Sequence, residues 1–190
     1  MSAATVKARG IQTRSGRFLT FLDPQPEDIV FADVASSLTN ICRFTGHCPF
    51  YSVAEHSFRC SEIVKEKLAG EAFGHDFAEM LLGDIPTPLK RVLEDISGGA
   101  WSQIESHVER VFAERFGLRY PIPNDVKQAD LVMLATEKRD LLVSEHLFAH
   151  GGWVKLPQPL REVIIPFSPE SVYQQFVDKY QRLHIEGLIL

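Results

Sequence analysis

The sequence predicts a mostly α-helical protein with a small β-hairpin near its N-terminal end. Apolar residues recur every three or four positions through most of the chain, which is the spacing of one helix face. Around Ser15-Gly16 a short alternation of apolar and polar residues is typical of two strands joined by a turn. The length of 190 residues is enough for a sizeable core and suits one domain spanning 1–190.

The first three predicted helices follow the hairpin. Prolines in the stretch 23–26 open the first helix, in which Val30, Val34, Leu38 and Ile41 recur at helical spacing. Ser52 followed three residues later by Glu55 is a capping-box pattern, which predicts a second helix beginning at Val53. A third helix is predicted over 71–82, ahead of a turn-rich segment with two prolines.

Three further helices are predicted in the second half of the chain. The clearest amphipathic pattern runs over 101–116 and is followed by Gly117, a typical C-terminal cap. Asn124 or Asp125 is expected to cap a long helix that reaches Leu141. A last helix is predicted to begin at Ser168-Pro169.

Composition and charge limit the classes of function. Hydrophobic residues make up 45% and charged residues 24% of the chain, as in ordinary globular proteins. A net charge of −5 argues against binding to a nucleic-acid polymer. No uncharged apolar run approaches the ~18–20 residues of a membrane span, and the first ten residues lack a secretion signal. We therefore expect a cytoplasmic protein that does not associate with membranes.

The cysteines are Cys42, Cys48 and Cys60. Their number is odd, and they lack the close pairing of a zinc ribbon. The sequence predicts that all three are free, structural thiols in a reducing compartment.

The strongest chemical feature is His75-Asp76, which lies inside an apolar segment. Neighbours on a helix point about 100° apart, so both can reach one ion only when it lies between them. His56 and Asp130 stand on two other apolar helix faces, which would complete an N2O2 ligand set. Each has an ordinary alternative, since a lone helix histidine is usually structural and Asp130 could pair with Lys127. Buried unpaired carboxylates are costly, however, and a metal relieves that cost.

The order of these residues resembles the signature of the HD-domain superfamily of metal-dependent phosphohydrolases. The three segments that carry the resemblance are 51–57, 74–90 and 126–130, and it extends over about 11–145. Within the superfamily the sequence is most similar to bacterial 5′-deoxynucleotidases and phage dATP triphosphohydrolases. The fold that the resemblance implies is an HD-domain helical bundle.

By position, the resemblance implies one divalent metal per chain, Co²⁺, Zn²⁺ or Mn²⁺, held by His56, His75, Asp76 and Asp130. It also implies that Glu79 and Asp84 orient the attacking water and transfer protons. Glu79 follows Asp76 by three residues, which places it within reach of such a water. The alternative for both acids is a solvated helix flank.

The substrate implied by the resemblance is a deoxynucleotide, with dATP favoured and dADP or dAMP as further candidates. The expected contacts to its phosphates are Arg43, Lys90 and Lys127, each of which could instead be a surface charge. Phe44 stands where the relatives tend to carry Trp, so it could stack on the base. The resemblance further implies a homo-oligomer in the bacterial cytoplasm, whether the gene belongs to a host or a phage.

Three alternative functions remain open. The first is a 5′-deoxynucleotidase acting on deoxynucleoside monophosphates generally. The second is a guanosine-alarmone hydrolase, but those relatives carry Glu-Asp where this chain has Glu79-Met80. The third is a non-catalytic nucleotide sensor, which the complete set of ligand residues disfavours.

Overall fold

The computed structural model describes residues 9–143 and 155–190, and within these ranges the protein is mostly helical with a two-stranded hairpin at its start. The α-helices in the described ranges are α1 (Phe31–Leu38), α2 (Val53–Glu62), α3 (Ala69–Gly74), α4 (Glu79–Leu82), α5 (Thr87–Ser97), α6 (Ala100–Phe116), α7 (Asn124–Leu141) and α8 (Pro169–Ile185). Short 3-10 turns occupy Pro26–Asp28, Arg43–Gly46 and Glu66–Leu68. The predicted fold class is therefore confirmed.

The predicted hairpin is present, with β1 (Gly10–Gln12) antiparallel to β2 (Phe18–Thr20). Gly16 lies in the turn with φ of 86°, a left-handed conformation that costs glycine little. The turn is attached to α1, because Asp33 accepts hydrogen bonds from the backbone N–H of Ser15 at 2.8 Å and from its hydroxyl at 2.6 Å. The hairpin is thus tied to the first helix of the bundle.

Helix α2 lies at the centre of the bundle and packs against α1, α3, α7 and α8. Its start follows the predicted capping box, since the Ser52 hydroxyl accepts a hydrogen bond from the Glu55 backbone N–H at 3.2 Å. The residues Val53 to Ser57 are all buried. Polar side chains on this helix are therefore held in the interior, where they need partners.

Buried aromatic rings form much of the core beside α2. Phe77 contacts Phe73 edge to face with ring centroids 5.5 Å apart, and it contacts Phe116 at 4.9 Å. Phe176 of α8 packs on Phe73 at 4.5 Å. Edge-to-face and offset packing of this kind adds to the stabilisation from buried area. These rings hold the segment that carries His75 and Asp76 against the bundle.

The predicted helix over 71–82 is wrong in one respect: it is not continuous. Helix α3 ends at Gly74, and α4 begins only at Glu79. Between them, Phe77 N–H bonds to Gly74 C=O and Glu79 N–H bonds to Asp76 C=O, which are i to i−3 bonds. The chain is therefore wound more tightly here, with about three residues per turn. His75 and Asp76 lie in this tight turn rather than inside a regular helix.

Two other differences concern a helix that was not predicted and the start of α7. The sequence reasoning missed α5, whose Pro88 lies in its first turn, where proline is tolerated because the N–H there has no helical partner. Neither Asn124 nor Asp125 caps α7: Pro123 occupies the cap position, and no side chain makes a capping bond.

Among the described helices, none is long and apolar enough to cross a membrane.

Candidate metal centre

Two histidines from different parts of the chain face each other, with ring centroids 5.3 Å apart. His56 of α2 is fully buried, and its Nδ1 lies 2.5 Å from Glu137 Oε1. His75 Nδ1 lies 2.7 Å from the backbone oxygen of Ala72. Because both partners only accept hydrogen bonds, each Nδ1 carries the proton of the neutral ring. The lone pair of the neutral ring is then on Nε2 in both cases.

Both Nε2 atoms face carboxylates. His56 Nε2 lies 3.2 Å from Asp130 Oδ1 and 3.6 Å from Asp76 Oδ2, and His75 Nε2 lies 3.3 Å from the same Asp76 oxygen. Buried His75 Nε2 nevertheless has no hydrogen-bond partner within the described ranges. The four residues predicted as ligands are therefore brought together at one point.

The sulfur of Cys60 completes this group. Cys60 follows His56 by one turn of α2, is fully buried, and has its Sγ 3.5 Å from His56 Nε2. One ligand atom from each of His56, Cys60, His75 and Asp130 lies within 4.8 Å of the other three. These residues form a group that could hold a metal ion.

The spacing of the donors fits a metal of ordinary size. Bonds of about 2.0–2.1 Å in a tetrahedral site separate adjacent N and O ligands by about 3.3 Å. The distances from His56 Nε2 to Asp130 and from His75 Nε2 to Asp76 are 3.2 and 3.3 Å. These two spacings therefore match those of neighbouring ligands on a small divalent cation.

The charges around the donors are also those expected of a cation-binding site. Burial and the charge of Arg43 both lower the pKa of His56. The negative groups around the ring outweigh these two effects, so the pKa is raised well above its usual range. Despite its own burial, the pKa of Asp130 is held well below its usual value by His56 and His75. Without a metal, a proton on His56 Nε2 balances the carboxylates, and metal binding must displace it.

Arg43 was predicted to contact a substrate phosphate, but its guanidinium is largely committed elsewhere. It is buried, and its Nε and Nη2 donate to Glu137 Oε2 at 3.2 and 3.1 Å. Only Nη1 is directed towards the donors, 3.9 Å from Asp76 Oδ2. Arg43 and Glu137 together brace His56, so the first role of Arg43 is in holding the centre.

Glu79 and Asp84 each interact electrostatically with Asp76, one of the predicted ligands. Glu79 Oε2 is buried without a hydrogen-bond partner in the described ranges, and burial with the charges of Asp76 and Asp84 raises the pKa of Glu79 well above its usual range. Gly83, at φ of 78°, turns the chain back after α4. Burial also raises the pKa of Asp84, against the opposing charge of Arg43. Neither acid is therefore a fully solvated residue on the flank of a helix, which was the alternative interpretation.

The remaining predicted contacts lie around this centre. Lys90 pairs with Glu105 at 2.5 Å and is partly exposed. Phe44 has a left-handed backbone with φ of 55°, and the guanidinium carbon of Arg43 lies 5.6 Å from the centre of its ring. Lys127 is exposed and lines a cleft of about 290 Å³ that also reaches His75.

That cleft combines apolar and charged side chains. Its lining includes Ala78, Phe112, Leu118, Ile122, Tyr120, Glu109, Arg119 and Lys127. Arg119 is paired with Glu71 at 2.6 Å on the same lining. The cleft borders the donor group through His75, which is part of its lining.

Comparison with known proteins gives a clear relative. No family model matches the chain. The uncharacterized protein YfdR of Escherichia coli K12 is 40% identical over 177 residues, which cover 91% of this chain and 94% of YfdR. The chain belongs to the YfdR family. A second uncharacterized protein, from Rhodobacter capsulatus, is 34% identical to this YfdR-family chain over 125 residues, 60% of the chain and 62% of that relative.

Sequence reasoning missed two residues of the centre. Cys60 was assigned a structural role, although its position four residues after His56 places it on the same helix face. Glu137 was not considered, although it follows Asp130 by seven residues and therefore shares a face of α7. Helical spacing from the predicted ligands was the available signal in both cases. Its use required knowing which face of each helix points inward.

Proposed function

We propose that this member of the YfdR family is a metal-dependent phosphohydrolase of the HD-domain type, which cleaves the 5′-phosphoester of deoxynucleotides. The observation that carries the proposal is the convergence of His56, His75, Asp76 and Asp130, with each histidine oriented through its Nδ1. These residues come from three separate segments of the chain, and their order matches the HD-domain signature.

The charge of the site supports a divalent cation. Arg43 interacts electrostatically with five acids, namely Asp76, Glu79, Asp84, Asp130 and Glu137, and Lys90 interacts with Asp76 and Glu79. Carboxylates exceed cations in this group, and uncompensated buried charge is expensive. A divalent ion held by the four ligands would supply Lewis-acid activation of water and of the phosphoryl oxygen.

Glu79 and Asp84 are the groups suited to move protons. In the proposed hydrolysis a water oxygen bonds to phosphorus, the bond from phosphorus to the 5′-oxygen breaks, and the leaving oxygen takes up a proton. The pKa of each carboxyl is raised, chiefly by burial, so each can hold a proton nearer neutral pH than a solvated acid. Their position beside Asp76 allows one to orient the water and the other to protonate the leaving oxygen.

The cleft beside His75 is where we place the rest of the substrate. Its apolar side chains suit a nucleoside, and exposed Lys127 is available to a phosphate. Lys90 can contact phosphate only by sharing or leaving Glu105, to which it is paired. Since the net charge of the protein is −5, capture of an anion depends on such local cations.

The test measures nucleotide hydrolysis by the protein after its metal has been removed and replaced with Co²⁺, Zn²⁺ or Mn²⁺. The substrates are dATP, dAMP, ATP, AMP and guanosine tetraphosphate, and the products nucleoside, phosphate and triphosphate are separated. We expect deoxynucleotides to be cleaved fastest. His75→Gln should lose both metal and hydrolysis, whereas His47→Gln, at an exposed position, should keep both.

The outcomes separate the alternatives. Metal binding without hydrolysis of any nucleotide contradicts an enzyme and favours a sensor. Guanosine tetraphosphate as the fastest substrate contradicts the deoxynucleotide assignment. Release of phosphate rather than triphosphate from the preferred substrate favours the monophosphatase alternative.

A further inference from the structure

The thiol of Cys60 lies where a ligand would lie, although the HD-domain signature does not include a cysteine. It is fully buried one turn after His56, with Sγ 3.5 Å from His56 Nε2. That nitrogen is the one directed at Asp130 and Asp76. The sulfur also lies within 4.8 Å of a ligand atom of His75 and of Asp130.

The distance itself fits coordination. With a metal–sulfur bond of about 2.3 Å and a metal–nitrogen bond of about 2.0–2.1 Å, a tetrahedral angle separates S and N by about 3.6 Å. The observed 3.5 Å agrees with this value. The alternative is a weak hydrogen bond between Cys60 Sγ and His56 Nε2. That bond is lost once Nε2 gives its lone pair to a metal, which leaves the buried sulfur facing the cation.

We propose that Cys60 is a thiolate ligand of the metal and that it makes the site prefer Zn²⁺ or Co²⁺ to Mn²⁺ and Mg²⁺. The proposal rests on the metal site of the proposed function and extends it to the choice of ion. On binding, the S–H bond breaks, its proton passes to solvent, and a sulfur–metal bond forms. Thiolate is a soft ligand that suits zinc and cobalt, whereas manganese and magnesium prefer oxygen donors.

Cobalt provides a readout that is independent of hydrolysis. Co²⁺ bound by nitrogen and oxygen shows visible d–d bands, and a thiolate ligand adds a charge-transfer band in the near ultraviolet. We expect both when the wild-type protein is titrated with Co²⁺. Cys60→Ser should keep the visible bands and lose the ultraviolet band. Cys42→Ser and Cys48→Ser, at half-buried cysteines outside the donor group, should keep both.

Metal competition tests the second part of the proposal. The ratio of Zn²⁺ to Mn²⁺ affinity is measured for the wild type and for Cys60→Ser, and we expect it to fall at least tenfold in the variant. Cobalt bound with visible bands but without the ultraviolet band in the wild type overturns the proposal and leaves the proposed function standing. Failure to bind Co²⁺ at all overturns both. A ratio that Cys60→Ser leaves unchanged overturns the role of the thiolate in metal choice.

Discussion

Glu137 is the residue whose replacement tests the organisation of the centre most directly. Its Oε1 lies 2.5 Å from His56 Nδ1, and its Oε2 accepts from Nε and Nη2 of Arg43. Both oxygens are therefore used by donors. The amide in Glu137→Gln has only one oxygen, so its NH₂ group must face either His56 or Arg43.

Either orientation weakens the centre. If the NH₂ group faces His56, Nδ1 must accept and the ring proton moves to Nε2, which removes the lone pair that a metal needs. If it faces Arg43, the guanidinium loses two charge-assisted bonds, each worth about 1.5–3 kcal/mol. Loss of a carboxylate that orients a ligand histidine typically weakens metal binding by about 10- to 100-fold. We expect the dissociation constant for Zn²⁺ to rise by that factor, or by about 1.4–2.7 kcal/mol.

The stability of the metal-free protein should change as well. Breaking a buried ion pair by removing one partner typically costs about 3–5 kcal/mol. Because glutamine keeps one acceptor, we expect a loss in the free energy of unfolding at or below that range. Denaturant unfolding in the presence of a chelator measures this change separately from metal affinity.

Metal affinity is best measured by competition with a chromophoric chelator at constant pH. The control is Glu114→Gln, an exposed position on α6, which should change neither quantity. If Glu137→Gln binds Zn²⁺ as tightly as the wild type does, Glu137 does not select the metal-binding tautomer of His56.

Three further predictions concern other parts of the protein. Glu79→Gln should bind Co²⁺ normally and lower kcat about 10²- to 10⁴-fold, and loss of Co²⁺ by equilibrium dialysis would contradict its role in proton transfer. Lys90→Ala and Lys127→Ala should each raise KM for dATP more than for dAMP, whereas equal effects would favour a monophosphatase. Although burial opposes it, hydrogen bonds from Ser15 hold the pKa of Asp33 below its ordinary 3.8. Asp33→Asn should therefore have a lower free energy of unfolding than the wild type at neutral pH, and this difference should shrink as the pH falls below 3.8. The control Asp95→Asn, at an exposed site, should show no such pH-dependent difference.

Local patterns in the sequence determined most of the secondary structure and the principal donors. The capping box at Ser52 correctly placed the start of α2, because both of its partners lie within one helical turn. The order of His56, His75-Asp76 and Asp130 correctly predicted which side chains meet. A buried polar side chain such as His56 is costly without partners, which favours its convergence with the other three.

Tertiary structure alone decided how those donors are held. Glu137 orients His56 from 81 positions away in the chain and neutralises the charge of Arg43 from 94 positions away. Its role could therefore be identified only from the packing of α2 against α7. The sulfur of Cys60 became a candidate ligand for the same reason. The tight turn at His75-Asp76 also escaped the sequence pattern, because three and 3.6 residues per turn differ little over four residues. Periodicity records neighbours within about one turn of helix, whereas the protonation and orientation of a buried histidine depend on whichever group packing places against its ring.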